Sequence, residues 1–200
     1  MRPPAVDPSA APASAEASAE ASAEASAAAP APAALRPLPG VLIAGRSTAA
    51  LRGELVVFVI GLRINRLLRP DVWLPVAREM GPMLAALAAD PRLGLLSSEG
   101  AWAGRVIRYV QVWRSFGHLE RFARGGDQPH LAAWGRFMKR AMNTDVVGIF
   151  HETYLVPAGA AESVYVNMPL TGLGAAAGVV ALQGSTARGR LGPAAGAPAA

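Results

Sequence analysis

The sequence predicts an α+β fold in which a small antiparallel sheet is covered by helices on one face. Three observations carry this. Glu54 to Ile60 (ELVVFVI) is short, β-branched and aromatic, which favours a buried strand over a helix. Trp73, Val76, Met80, Leu84 and Leu87 then recur at the spacing of one helix face. Val146 to Met168 (VVGIFHETYLVPAGAAESVYVNM) holds two further β-like runs joined by a Pro/Gly/Ala turn. With the runs between them the order is strand, helix, strand, strand, helices, strand and a terminal strand. That is the split βαβ order of ferredoxin-like domains.

Composition sets the domain limits. Residues 1–38 are nearly all Ala, Ser, Pro and Glu, with tandem ASAE units from Ala13 to Glu24, and offer almost nothing to a core; they read as disordered. Residues 39–51 read as a lead-in segment, 52–170 as the ferredoxin-like domain, and 171–200, rich in Gly and Ala, as a flexible tail. A domain of that size can bury a single core.

The elements follow in order. Gly61 lets the chain turn out of the first strand, and a polar exit through Arg63, Asn65, Arg66 and Arg69 leads to Pro70. Asp71 is a suitable N-cap, Pro75 is tolerated early in the helix, and Gly81 and Pro82 predict a kink before an end near Ala89. Leu93 to Ser97 and Arg105 to Arg114 read as strands joined by a loop at Ser98 to Gly104. Ser115 caps a short helix that ends at Gly125 and Gly126, and another begins at Asp127, with Leu131, Trp134 and Met138 on its buried stripe. Along Val146 to Val156, His151 and Glu152 point to opposite faces, because alternate strand residues do. Both faces are largely apolar, so this strand is expected to be covered on both sides. Tyr109, Gln111 and Trp113 share one face of their strand and are expected on the side of the sheet away from the helices, where a second copy of the chain would cover them.

Charge and residue usage narrow the function classes. The net charge is +5, but the cations are almost all scattered arginines, with Lys139 the only lysine. The short clusters at 66–69 and 136–140 lack interleaved aromatics, so no nucleic-acid partner is expected. Cysteine is absent, which excludes thiolate chemistry and disulfides. The N-terminus has no basic and apolar leader, and the apolar span from Ser163 to Leu182 is interrupted by Asn167, Pro169 and glycines, so neither export nor membrane insertion is expected. A cytoplasmic location follows as the expectation. GLGAAAG at 172–178 lacks the lysine of a phosphate-binding loop, HET at 151–153 is not a helical zinc motif, and three scattered histidines do not make a metal site.

The blocks VVFVIGLRINRLLRPDVWLPVAREM, YVQVWRSFGHLERFAR, PHLAAWGRF and GIFHETYLVPAGAAESVYVNMP resemble the family of small dimeric α/β-barrel proteins that includes the polyketide monooxygenase of fumagillin biosynthesis. The resemblance spans about Leu55 to Pro169, leaving both tails outside. More distantly the chain is similar to antibiotic-biosynthesis monooxygenases, which need neither flavin nor metal, and to haem-degrading relatives. The resemblance implies a homodimeric barrel and a monooxygenase, or an isomerase of oxidised intermediates, acting on a hydrophobic secondary-metabolite-like substrate. No cofactor is then expected. Haem or small-ligand binding in the same pocket is the alternative, and a non-catalytic dimeric module the third.

Within these blocks His151 is the first catalytic candidate, since a strand-borne imidazole in a dry pocket can take a proton from a phenol or enol. His130, one helical turn before Trp134, is the second, and either histidine is a candidate axial ligand under the haem reading. Tyr109, Gln111, Trp113 and Trp134 are candidate pocket walls, and Arg63 and Asn167 candidate polar anchors at strand ends. Glu152 is expected to pair with an arginine such as Arg114 or Arg108, as a structural contact. His118 is expected on the polar side of its helix.

Overall fold

The computed structural model describes residues 34–124 and 142–182, with isolated positions at 135, 139 and 191. Its elements are β1 (Ile43–Ala49), β2 (Leu55–Ile64), α1 (Pro70–Arg78), α2 (Met80–Ala89), β3 (Leu95–Ala103), β4 (Val106–Trp113), α3 (Phe116–Arg124), β5 (Val147–Val156), β6 (Tyr165–Met168), α4 (Gly172–Ala177) and β7 (Val179–Ala181). The helix expected from Asp127 falls outside the described residues.

Four strands form an antiparallel sheet in the order β3-β4-β2-β5, and three form a second sheet in the order β6-β1-β7. The four-stranded sheet has the ferredoxin-like arrangement that the order of elements predicts. β2 is central because both its faces are apolar, and it pairs along its full length with β4 and β5. Register puts Val56, Phe58, Ile60 and Leu62 on the same face as Ile107, Tyr109, Gln111 and Trp113 of β4 and Ile149, His151 and Thr153 of β5.

The helices lie on that face. Val76, Met80, Met83 and Leu87 are buried against it, one helix turn after another, as their spacing predicts. The face of Tyr109, Gln111 and Trp113 is therefore the helix-covered one, contrary to expectation: Gln111 and Trp113 are 4% and 0% exposed within a single chain. Parity along β4 cannot tell which face receives the helices. The crossover through α1 and α2 decides it, burying Ile60 with Met80 and Met83 and Trp113 with Leu87.

Several boundaries differ from expectation. The helical run divides at Glu79, whose N–H still bonds the Val76 carbonyl, leaving Pro82 in the first turn of α2 where its missing N–H costs nothing. Arg69, not Asp71, is the N-cap residue, and Pro70 opens α1 while Asp71 is held by the Arg69 guanidinium at 2.8 Å. β3 continues to Ala103, through the predicted loop, because it pairs with β4 up to the tight Gly104 turn. The lead-in becomes β1. The segment expected to be a flexible tail supplies α4 and β7, and Leu35, in the segment expected to be disordered, pairs with Val179. α4 is fixed to the main sheet by Glu99, whose carboxylate accepts hydrogen bonds from the Thr171 hydroxyl at 2.6 Å and the Gly172 N–H at 2.5 Å. Leu55 and Val112 pack with Ala176 of α4 on the face away from α1 to α3.

β5 also departs from expectation. Its first residues are covered, but from His151 to Leu155 it is exposed, with Tyr154 at 51% and Leu155 at 66%, because it is the edge strand of its sheet.

Gly61 has a packing role. A Cβ there would stand 2.7 Å from both the Ile107 carbonyl oxygen and the Phe150 ring. Since the backbone oxygen cannot swing aside, Gly61→Ala is expected to cost about 1–3 kcal/mol, read as a lower urea midpoint with unchanged slope.

Candidate active site

A cavity of about 250 Å³ lies between the helix-covered face of the sheet and the helices. Phe58, Ile60, Gln111, Trp113 and His151 of the sheet line it, Met80, Met83 and Leu87 of α2 form one wall, and Phe116, Leu119 and Phe122 of α3 form another. Glu120 and Arg124, joined by an ion pair at 3.0 Å one helical turn apart, are its charged lining residues.

His151 borders this cavity from the edge strand, opposite Ile60 in register. Its ring leans on Phe58 with centroids 5.6 Å apart, and its side chain makes no hydrogen bond among the described residues. Gln111 sits deeper. Its Oε1 accepts a hydrogen bond from the Trp113 indole N–H at 3.0 Å, and Trp113 in turn packs on Phe122 with centroids 5.5 Å apart. An imidazole free to accept a proton, beside apolar walls and one buried amide, is suited to proton abstraction from a weak acid.

The other expected site residues are dispersed. Tyr109 packs with Ile60, Met80 and Met83 and lines a neighbouring cleft instead of the cavity beside His151. Arg63 donates to Asn65 Oδ1 at 2.6 Å near the end of β2, away from the cavity. Asn167 adopts a left-handed conformation, φ 51°, and its Oδ1 accepts the Gly45 N–H at 2.8 Å across an irregularity in the β1–β6 pairing. This is a turn-type hydrogen bond in the other sheet, the kind of backbone that Asn tolerates. His130 and Trp134 lie outside the described residues.

Glu152 points away from His151, as strand alternation requires, and receives a 2.7 Å hydrogen bond from the Tyr154 hydroxyl. It forms no ion pair with Arg114 among the described residues. Register explains why: Glu152 stands level with Val110 across β2, and Arg114 is four residues further along, roughly 13 Å. The hydrogen bond and the charge of Glu152 push the Tyr154 phenol above its ordinary range.

Sequence reasoning missed Phe58 and the α2 methionines as pocket walls. The signal was present, since Phe58 shares the parity of Ile60 on a strand whose two faces are both apolar. His118 also differs from a plain surface residue. Its Nδ1 meets the Ser115 hydroxyl at 2.8 Å, that hydroxyl also accepts the His118 N–H at 3.4 Å as a helix N-cap, and the ring packs where a Gly94 side chain would stand. Burial, and then Arg121 and Arg114, lower its proton affinity. The unfolded chain therefore takes this proton first, so stability is expected to fall as pH drops through the unfolded value of 6.5 and to level off below the folded one. His118→Gln should flatten that part of the acid-unfolding curve.

Among the described residues, no helix is long and apolar enough to cross a membrane, and no group of three or more acidic or histidine side chains converges as a metal site.

The chain is 29% identical over 152 residues to Monooxygenase af470 of Aspergillus fumigatus, a match covering 63% of this chain and 52% of that protein. It thus spans about half the length of that curated relative. In fold it is similar to an aldoxime dehydratase solved with butyraldoxime, with a TM-score of 0.53 at 16% identity, covering 63% of this chain and 38% of that one. SnoaB, a cofactor-independent oxygenase from Streptomyces nogalater, aligns with a TM-score of 0.35 at 15% identity, over 50% of this chain and 91% of that one. Residues 55–173, from the central strand to the first turn of α4, match the Monooxygenase af470-like family, and the chain belongs to it.

Proposed function

We propose that this chain is a cofactor-independent monooxygenase acting on a hydrophobic, secondary-metabolite-like molecule that carries an acidic C–H or O–H. The observation that carries this reading is an unengaged imidazole, His151, on the border of an apolar cavity. Membership of a monooxygenase family and the likeness to Monooxygenase af470 support it.

For a substrate with an activated CH₂ group, the step balances without a reductant. His151 takes one proton, and the resulting carbanion passes electrons to O₂ and bonds to it as a peroxide. Loss of the second hydrogen as a proton, with cleavage of the O–O bond, leaves a carbonyl and one water. The substrate supplies all four electrons. Apolar walls favour this course because O₂ is itself apolar and partitions into such a cavity.

A second copy of the chain is the partner that suits the exposed half of β5, where Tyr154 and Leu155 lie on opposite faces of an unpaired edge. Light scattering at micromolar concentration is expected to give a dimer; a monomer removes this part of the reading.

Oxygen uptake tests the activity. Chelator-treated protein should consume one O₂ per molecule of a flat phenolic or 1,3-dicarbonyl substrate and place one labelled oxygen atom in the product. Uptake that requires added flavin or metal overturns the reading. The same free imidazole gives a second reading, in which His151 would hold the iron of a bound haem. A haemin titration that shifts the Soret band in the wild type but not in His151→Ala supports it, and an unshifted band ends it.

A further inference from the structure

We infer that Gln111 is the specificity-determining residue of the cavity, selecting ligands that present a hydrogen-bond acceptor oxygen to its sheet-side floor. The inference rests on the reading of this cavity as the substrate site. The two ends of a glutamine amide look alike as heavy atoms, so their assignment follows from the partners. The Trp113 indole N–H can only donate, and it lies 3.0 Å from the amide of Gln111, so it must face Oε1. Trp113 is 0% exposed and cannot exchange this partner for water. The amide is thereby locked with its NH₂ group as the end left for other partners.

Nothing else among the described residues takes those two hydrogens. Ser98, directly across the β3–β4 pairing from Gln111, has a buried hydroxyl with no hydrogen-bond partner, so it does not engage the amide. Among the described residues the buried side-chain polar atom left without a partner is the Ser98 hydroxyl, so the amide nitrogen of Gln111 keeps access to the cavity, where a ligand oxygen would take the place of water. Such recognition is selective, since an analogue that lacks the oxygen displaces the water and leaves the donor unpaired.

The ligand class follows from what surrounds the donor. Phe58 on β2 stands level with Gln111 on β4, and His151 on β5 stands level with Ile60, two residues along, its imidazole leaning on the Phe58 ring. The two polar groups stand two strand spacings apart across the sheet and two residues apart along it, roughly 12 Å at the backbone. A flat, fused-ring or extended ketone or phenol fits, its carbonyl or phenolic oxygen at Gln111 and its acidic hydrogen toward His151.

Equilibrium dialysis with 1-tetralone and tetralin tests this, because the two share a bicyclic body and differ by one acceptor oxygen. The ratio of tetralone to tetralin affinity should fall roughly fivefold or more from wild type to Gln111→Met, which has no donor. Gln111→Met combined with Trp113→Phe should show the same fall while leaving no orphaned indole N–H, and so serves if the single variant does not fold. An unchanged ratio overturns the role of Gln111 while the cavity remains a binding site. Failure of the wild type to bind either compound removes the cavity itself as the site, and the inference with it.

Discussion

Replacing His151 with alanine is expected to lower turnover by roughly 10²- to 10⁴-fold, the usual contribution of a positioned general base. The imidazole makes no hydrogen bond among the described residues and leans on the Phe58 ring from an exposed stretch of edge strand, so its removal should alter stability by no more than about 0.5 kcal/mol. Activity and folding are therefore separable at this position. Initial rates of oxygen uptake, with thermal unfolding measured on the same preparation, decide the matter. A rate equal to wild type in a folded variant takes His151 out of the reaction. His151→Gln should be nearly as slow as alanine, because an amide keeps polarity but cannot accept the proton.

Trp113→Ala is the substitution expected to do most to stability, about 3–5 kcal/mol. Its indole is wholly buried against Val56, Leu87 and Leu119, so truncation leaves a void bounded by three separate elements. Phe122 loses an aromatic neighbour, and Gln111 loses the donor that fixes its amide. Denaturant unfolding should show a lower midpoint at unchanged slope. Trp113→Phe, which retains most of the volume, should cost much less; equal losses in the two variants would mean that cavity formation is not the cause.

Much of the fold was legible because its strands are extreme in composition. ELVVFVI and VVGIFHETYLV admit no comfortable alternative as helices, and the Trp73 to Leu87 stripe supplies a face for the sheet to bury. Less legible was anything fixed by pairing between distant segments. Val41 to Ala50 is ambiguous alone and becomes a strand because β6 and β7 flank it. Gly172 to Ala177 looks like a low-complexity tail, yet Glu99, some seventy residues earlier, caps it. The sequence could place Tyr109, Gln111 and Trp113 together on one face but could not say which face the helices choose. The same limit applies to the site. Strand parity separates His151 from Glu152, whereas the roles of Arg63 and Asn167 depend on Asn65 and Gly45, neighbours that no periodicity reveals.

The position of β5 bears on how the protein becomes active. Its partners on β2 lie about 90 residues earlier in the chain, a separation that makes this pairing slow in the general relation between contact distance and folding rate. By contrast β3 and β4 form a local hairpin. His151 thus rides on the segment whose docking closes the longest loop in the four-stranded sheet. Fraying of β5 would displace His151 from the cavity while most of the core stayed protected, so hydrogen exchange along 151–155 should be faster than along β2 and β4.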